Sequence, residues 1–169
     1  MGDFSIDYVE NRPEVVPTVA SWVWREWGFA SLRDCASDLH RSDRGSIPSR
    51  FVAVSRGKAV GIVNLIECNL PPRCPSLRPW LAGLYVRPSY RRVGIGSALV
   101  RFCEMEAASL GFGRLYLYTE QAHAFYRRLG WVTIESVVWR SEEVAVMARE
   151  LPLPTSVAGQ RTRIAPHDE

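Results

Sequence analysis

Long hydrophobic runs are missing from this sequence. No apolar stretch reaches the roughly 18 residues of a membrane span. The opening Met-Gly-Asp-Phe-Ser-Ile lacks the basic and then apolar regions of a secretory leader. Gly2 invites comparison with a myristoylation signal, but Ile6 stands where that pattern takes Ser or Thr. The expected setting is therefore cytoplasmic, with no membrane partner. Cysteine is sparse. Cys35, Cys68, Cys74 and Cys103 form no C-x-x-C pair and the three histidines stand apart, so no zinc framework is visible and no metal is expected. A Cys68–Cys74 disulfide is conceivable, but reduced thiols are the expectation for a cytosolic protein. Charge of one sign is lacking too. A formal net charge of +3 over 169 residues gives no argument for a nucleic-acid partner.

What is present reads as one globular domain. Apolar residues make up 47% of the chain and charged residues 23%, ordinary usage for a single hydrophobic core. The domain is expected over residues 1–151. The polar, aperiodic stretch 152–169 is expected to be a disordered tail. Phe4–Tyr8 alternates and predicts a first strand. A helix is expected from Pro13 to about Trp27 with a kink at Pro17, and a second from a Ser31 cap to about Arg41. The mixed-charge run Arg41–Arg50 reads as a solvated loop. Phe51–Ser55 and Ala59–Cys68, rich in Val and Ile, flank Arg56-Gly57-Lys58 and predict a hairpin.

After a proline-rich loop, Trp80–Val86 is nearly continuous in apolar residues, as a buried central strand would be. Ile95, Ala98, Leu99, Phe102 and Met105 fall on one face of a helix from Gly94 to about Leu110, with Gly111 as its stop. Leu115–Tyr118 predicts another strand, and Thr119 is the expected cap of a short helix to Leu129. Trp131–Trp139 and Val144–Leu151 predict a last hairpin around Ser141-Glu142. The β-α-β unit from Trp80 to Tyr118 calls for parallel strands with a right-handed crossover. The other pairings are expected to be antiparallel.

The chemistry concentrates between Leu84 and Ser97. A buried strand ends, Arg87, Arg91 and Arg92 crowd the turn, and Gly94 and Gly96 open a helix. The first turn of a helix has N–H groups without internal partners and carries partial positive charge. Glycine keeps side chains out of the way, and the arginines add full charge. The combination describes a pyrophosphate site. The glycines alone would fit a solvated basic turn equally well; the strand–turn–helix context favours the phosphate reading. A P-loop is absent. A Rossmann fingerprint would need a third glycine where Leu99 stands and a tighter turn, although Glu120 lies where a ribose-binding acid would sit.

Arg91-x-x-Gly94-x-Gly96 resembles the [RQ]-x-x-G-x-[GA] acetyl-CoA motif of the GNAT acetyltransferases, and Leu84-Tyr85-Val86-Arg87-Pro88 resembles the strand and turn that lead into it. Thr119–Trp131 resembles that family's closing motif, a helix with Phe125-Tyr126 followed by Leu129-Gly130 and an aromatic. The resemblance extends from about residue 4 to 151. It implies an α+β fold with a mixed, mostly antiparallel seven-stranded sheet, four flanking helices and a V-shaped splay between strands 4 and 5. It implies acetyl-CoA as acetyl donor, with pantetheine against the backbone of Leu84 and Val86 beside Tyr85. The diphosphate would then lie on Arg91, Arg92, Val93, Gly94, Ile95, Gly96 and Ser97. Gly83 is placed to form the bulge that opens the gap. Thr119 stands where many relatives carry Asn, keeping a hydroxyl and losing an amide.

The resemblance implies N-acetyltransferase activity by direct attack of an amine in a ternary complex, so no cysteine has to act as nucleophile; Cys103 reads as a small buried apolar residue. Tyr126 matches the family's acid. A thiol pKa is about 8.5 and a tyrosine pKa about 10, so Tyr126 can protonate the departing thiolate. A main-chain N–H near Leu84 or Tyr85 is the expected oxyanion donor. An acceptor amine with a pKa of about 10.4 calls for a base. Glu67, at the end of the third strand, is one candidate, with Glu120 and Glu26 as rivals; each also reads as a solvated surface carboxylate. Trp22, Trp24, Trp27 and Trp80 are expected near the acceptor, with two of the four packing in the core. The partners expected are a small-molecule or protein amine and, in a homodimer, a second copy. A CoA-binding sensor without strong catalysis is the alternative reading.

Overall fold

The seven residues Ser49–Ser55 are all buried, which requires cover on both faces of the sheet around them. The computed structural model, which describes residues 3–28, 31–41, 45–74 and 76–152, supplies that cover. Its elements are β1 (Ser5–Tyr8), α1 (Val16–Trp27), α2 (Leu32–Leu39), β2 (Ser49–Ser55), β3 (Lys58–Ile66), β4 (Trp80–Val86), α3 (Ile95–Ser109), β5 (Arg114–Thr119), α4 (His123–Arg128), β6 (Val132–Trp139) and β7 (Glu142–Glu150). The seven strands form one sheet in the order β1-β2-β3-β4-β5-β7-β6. β4 and β5 are parallel and every other neighbouring pair is antiparallel. This is the expected mixed α+β sheet, with four helices on its faces.

Alternation along the strands sorts the core. Phe51, Ala53, Val63, Leu65 and Leu81 meet Leu99, Cys103 and Ala107 of α3 on one face. Val52, Val54 and Ile62 point the other way, against Val16, Val19 and Ala20 of α1 and Cys35 and Leu39 of α2. Beyond them, Leu70, in the segment after β3, packs on Trp80, Tyr116, Val146 and Ala148. That segment is tied to the far edge of the sheet, where the Arg73 guanidinium donates to both carboxylate oxygens of Glu135 on β6, at 2.7 and 2.9 Å.

Several expectations need correction. Pro17 does not kink a helix. A 3-10 turn at Pro13–Val15 precedes α1, and Pro17 falls in the first turn of α1, where its missing N–H has no intrahelical role. Thr119 does not cap α4. β5 runs through Thr119, whose hydroxyl accepts from the Ala122 N–H at 2.9 Å in the turn before the helix. The last hairpin turns one residue early, at Arg140-Ser141, both with positive φ (51° and 68°), the conformation that suits strand twist. Arg41–Arg50 is not all solvated loop, because Ser49 and Arg50 open β2 and are buried. Nor are all thiols reduced. A 3-10 turn at Pro71–Arg73 folds the chain back and Cys68 and Cys74 are bonded, their Cα atoms 5.9 Å apart, inside the range a disulfide spans. Residues 153–169 of the expected tail lie outside the described residues. Among the described residues no helix is long and apolar enough to cross a membrane.

Candidate active site

A break in the sheet makes the site. Parallel β4 and β5 share a single registered pair, Trp80 with Tyr116. From Leu81 onward the β4 edge on that side has no strand partner, although the same residues pair with β3 on the other side. β5 likewise pairs with β7 along its whole length. Two strand edges thus diverge from one rung, each presenting N–H and C=O groups into a wedge.

A bulge sits on the wedge's β4 wall. Ile62 pairs with Tyr85 and Asn64 with Ala82, so Val63 alone faces Gly83 and Leu84. Gly83 has φ +60°, and a Cβ there would lie 2.6 Å from Asn64 Nδ2. Conformation and space both call for glycine. Leu84 and Val86 pack toward the α3 face. Tyr85 points oppositely, its ring 5.2 Å from that of Trp22.

Past Val86 the chain turns through Pro88–Tyr90 and arrives at α3. Arg91 Nε donates to the Val86 carbonyl at 2.8 Å, which lays the guanidinium along the strand end, over the Tyr85 ring. Arg92 and Gly94 have φ of 64° and 93°. Gly94 is the N-cap of α3 and offers no capping side chain. A Cβ at Gly94 would meet nothing within 4 Å. Glycine is needed there for the left-handed turn, while a Cβ at Gly96 would make ordinary contacts with Phe125 and Val86, at 3.6 and 3.7 Å. Ala98 N–H donates to the Gly94 carbonyl, so the N–H groups of Ile95, Gly96 and Ser97 precede any intrahelical acceptor. With Arg92 and Val93 exposed beside them, they form an open, cationic, main-chain cradle.

Tyr126, on α4, is 7% exposed and packs edge-on to Phe125 and Trp131. Burial, helped by the nearby Cys103, pushes its hydroxyl pKa well above the ordinary value near 10. The phenol therefore keeps its proton. Cys103 is wholly buried on α3, and burial pushes its thiol up as well, the behaviour of an inert core cysteine.

The wedge opens into a cleft of about 1180 Å³. Leu84, Arg91, Thr119, Glu120 and Tyr126 all line it, as do Glu26 and Trp27 at the end of α1. Glu67 is placed elsewhere: Arg78 holds its carboxylate at 2.9 Å, and Glu67 is not part of the cleft wall. Of the tryptophans, Trp22 and Trp80 are core and Trp24 is exposed. Trp27 stands against the bulge, its ring 3.9 Å from where a Gly83 Cβ would lie. The wall also includes residues that no sequence motif marks: Asp38, Arg50, Asn64, Trp139 and Arg140. The Arg140 guanidinium lies over the Trp139 ring at 5.6 Å. Arg50 stands directly before the apolar run Phe51–Val54, and that adjacency was the available sign for it.

Comparison with known proteins gives the same answer as the geometry. The chain is 33% identical over 121 residues to N-acetyltransferase family 8 member 3 of Rattus norvegicus, a match covering 67% of this chain. It spans about half (51%) of that relative's length. Among solved structures, an aminoglycoside 6'-N-acetyltransferase complexed with coenzyme A superposes with a TM-score of 0.70 at 19% identity, covering 89% of this chain and 99% of the other. Ard1 from Thermoplasma volcanium superposes with a TM-score of 0.69 at 18% identity, over 88% and 98% of the two chains. These structural likenesses establish the fold. The sequence pattern of the acetyltransferase (GNAT) family matches residues 16–131, and the chain accordingly belongs to that family.

Proposed function

We propose that this protein transfers an acetyl group from acetyl-CoA to a primary amine by direct attack within a ternary complex. The observation that carries the reading is that the unpaired β4 edge, Arg91 at the start of the cationic main-chain cradle, and the protonated Tyr126 line one cleft. Acetyl-CoA fits this surface because a pantetheine arm needs a strand edge to pair with and a diphosphate needs N–H groups and cations. Leu84 and Val86 supply the first. Arg91, Arg92 and the amides of Val93 through Ser97 supply the second. Thr119, on the facing β5 edge, contributes a hydroxyl.

In the reaction a bond forms between the amine nitrogen and the acyl carbon, and the carbon–sulfur bond breaks. Tyr126 gives its proton to the departing thiolate. A main-chain N–H of the bulge, near Leu84 or Tyr85, faces the charge that develops on the carbonyl oxygen. Glu120 and Glu26, which line the cleft, are the carboxylates proposed to take the amine's proton. Glu67, engaged by Arg78, would have to leave its partner to do so. Trp27 beside Glu26 favours an acceptor whose amine is attached to an apolar or cationic part.

The test is thiol release from acetyl-CoA across a panel of polyamines, aminoglycosides, amino acids and peptide amines. Amine-dependent release is expected with at least one class. Tight acetyl-CoA binding without release from any amine would point to a sensor instead.

A further inference from the structure

Arg50 is the only buried charged side chain among the described residues, at 5% exposure. Its guanidinium donates to Asp38 Oδ2 at 2.7 Å, to the Asp38 carbonyl at 3.2 Å and to Asn64 Oδ1 at 3.2 Å. A guanidinium can only donate. Arg50 therefore fixes which way the Asn64 amide faces: oxygen toward β2, nitrogen toward β4. That nitrogen donates to the Ala82 carbonyl at 3.2 Å and lies against Gly83. Asp38 on α2, Arg50 on β2, Asn64 on β3 and the bulge on β4 thus form one continuous chain of contacts.

We infer that Arg50 is a positioning residue, acting through Asn64 to hold the Gly83–Leu84 bulge in the conformation that opens the donor wedge. A buried charge is costly unless its partners compensate, and an apolar residue would fill the same space on β2. What an apolar residue would not do is orient an amide. The same contacts link the α2 side of the cleft to the strand that presents the acetyl donor. The catalytic part of this inference rests on the function proposed above; the structural part does not.

Asn64→Asp separates the two. An aspartate strengthens the contact to Arg50 and removes the donor to Ala82. If Arg50 served stability alone, Asn64→Asp would leave kcat/KM and amide exchange over residues 82–86 unchanged. As a positioning device it should lower kcat/KM for acetyl-CoA about 10-fold while the melting temperature stays close to wild type. Arg50→Lys should show a loss of similar size. The double variant should lose less than the product of the two, because both act through one contact. Amide hydrogen exchange over residues 82–86 reads the bulge directly and needs no turnover: exchange about 10-fold faster is expected in Asn64→Asp. Unchanged exchange would overturn the inference whatever the activity. Faster exchange in Asn64→Asp, where the wild-type protein turns over no amine, would uphold the bulge's dependence on the Arg50–Asn64 contact and count only against the proposed function.

Discussion

The proposed donor and acceptor sides of the cleft are built from different material. The donor side is mostly main chain: an unpaired strand edge, a bulge, and a helix start whose N-cap carries no side chain. The acceptor side is side chain throughout, assembled from the end of α1, α2, the start of β2, the segment after β3 and the β6–β7 turn. A main-chain site is specified by conformation, so it tolerates few residue types and cannot change its chemistry without changing the fold. A side-chain site is specified by what projects into it, so its chemistry can change while the fold stays. This contrast explains how one scaffold can keep its acyl donor while its acceptor varies.

The contrast can be broken most sharply at Gly94. Gly94→Glu forces a left-handed turn on a residue that resists it and sets a negative charge at the cradle. Acetyl-CoA affinity should fall about 100-fold or more by calorimetry. Wild-type affinity would mean the donor is not held by this turn.

Tyr126→Phe comes next. Turnover should drop about 10-fold or more while acetyl-CoA still binds, which places the donor's chemistry in a side chain even though its binding is main chain. The pH profile sharpens the point. Burial raises the Tyr126 pKa, so the neutral phenol is favoured in the folded state. Its contribution to stability is full below the unfolded value of about 10 and is lost as pH rises above that toward the folded value. No loss of turnover assignable to Tyr126 ionisation is therefore expected below pH of about 10, and rate measurements on wild type and variant will show whether that holds.

The smallest effect is expected on the acceptor side. Glu120→Gln and Glu26→Gln should each raise the KM for the amine or lower kcat by about 3- to 10-fold, with the KM for acetyl-CoA unchanged in a steady-state analysis. A change confined to acetyl-CoA would erase the division between the two sides.

The same division governs how much could be read from the sequence. Trp80–Val86 is legible to the residue as a nearly continuous apolar run, with Trp80–Ala82 buried and Gly83–Val86 half-buried at the wedge. The segment Arg91–Ser97 is legible because a main-chain cradle is made by consecutive residues and needs glycine at a fixed place. The acceptor wall has no such signature. Asp38, Arg50 and Asn64 meet only when α2, β2 and β3 are assembled. Arg50 closes the mixed-charge stretch that begins at Arg41, so it reads as the end of a loop and not as the buried start of β2. Cys68 and Cys74 look like two separated thiols until the 3-10 turn between them is seen. Thr119 has the chemistry of a helix cap, yet strand pairing with Ala145 claims its backbone first.

The single rung between Trp80 and Tyr116 has a mechanical consequence. Two half-sheets that meet at one point can pivot without breaking any ladder hydrogen bond. Their angle is set by what braces them from outside: α3 on one face and, on the other, the Leu70 segment with its Arg73–Glu135 tie. Stiffness across the wedge thus belongs to the braces, and a substitution in either one can retune the aperture while every strand keeps its register.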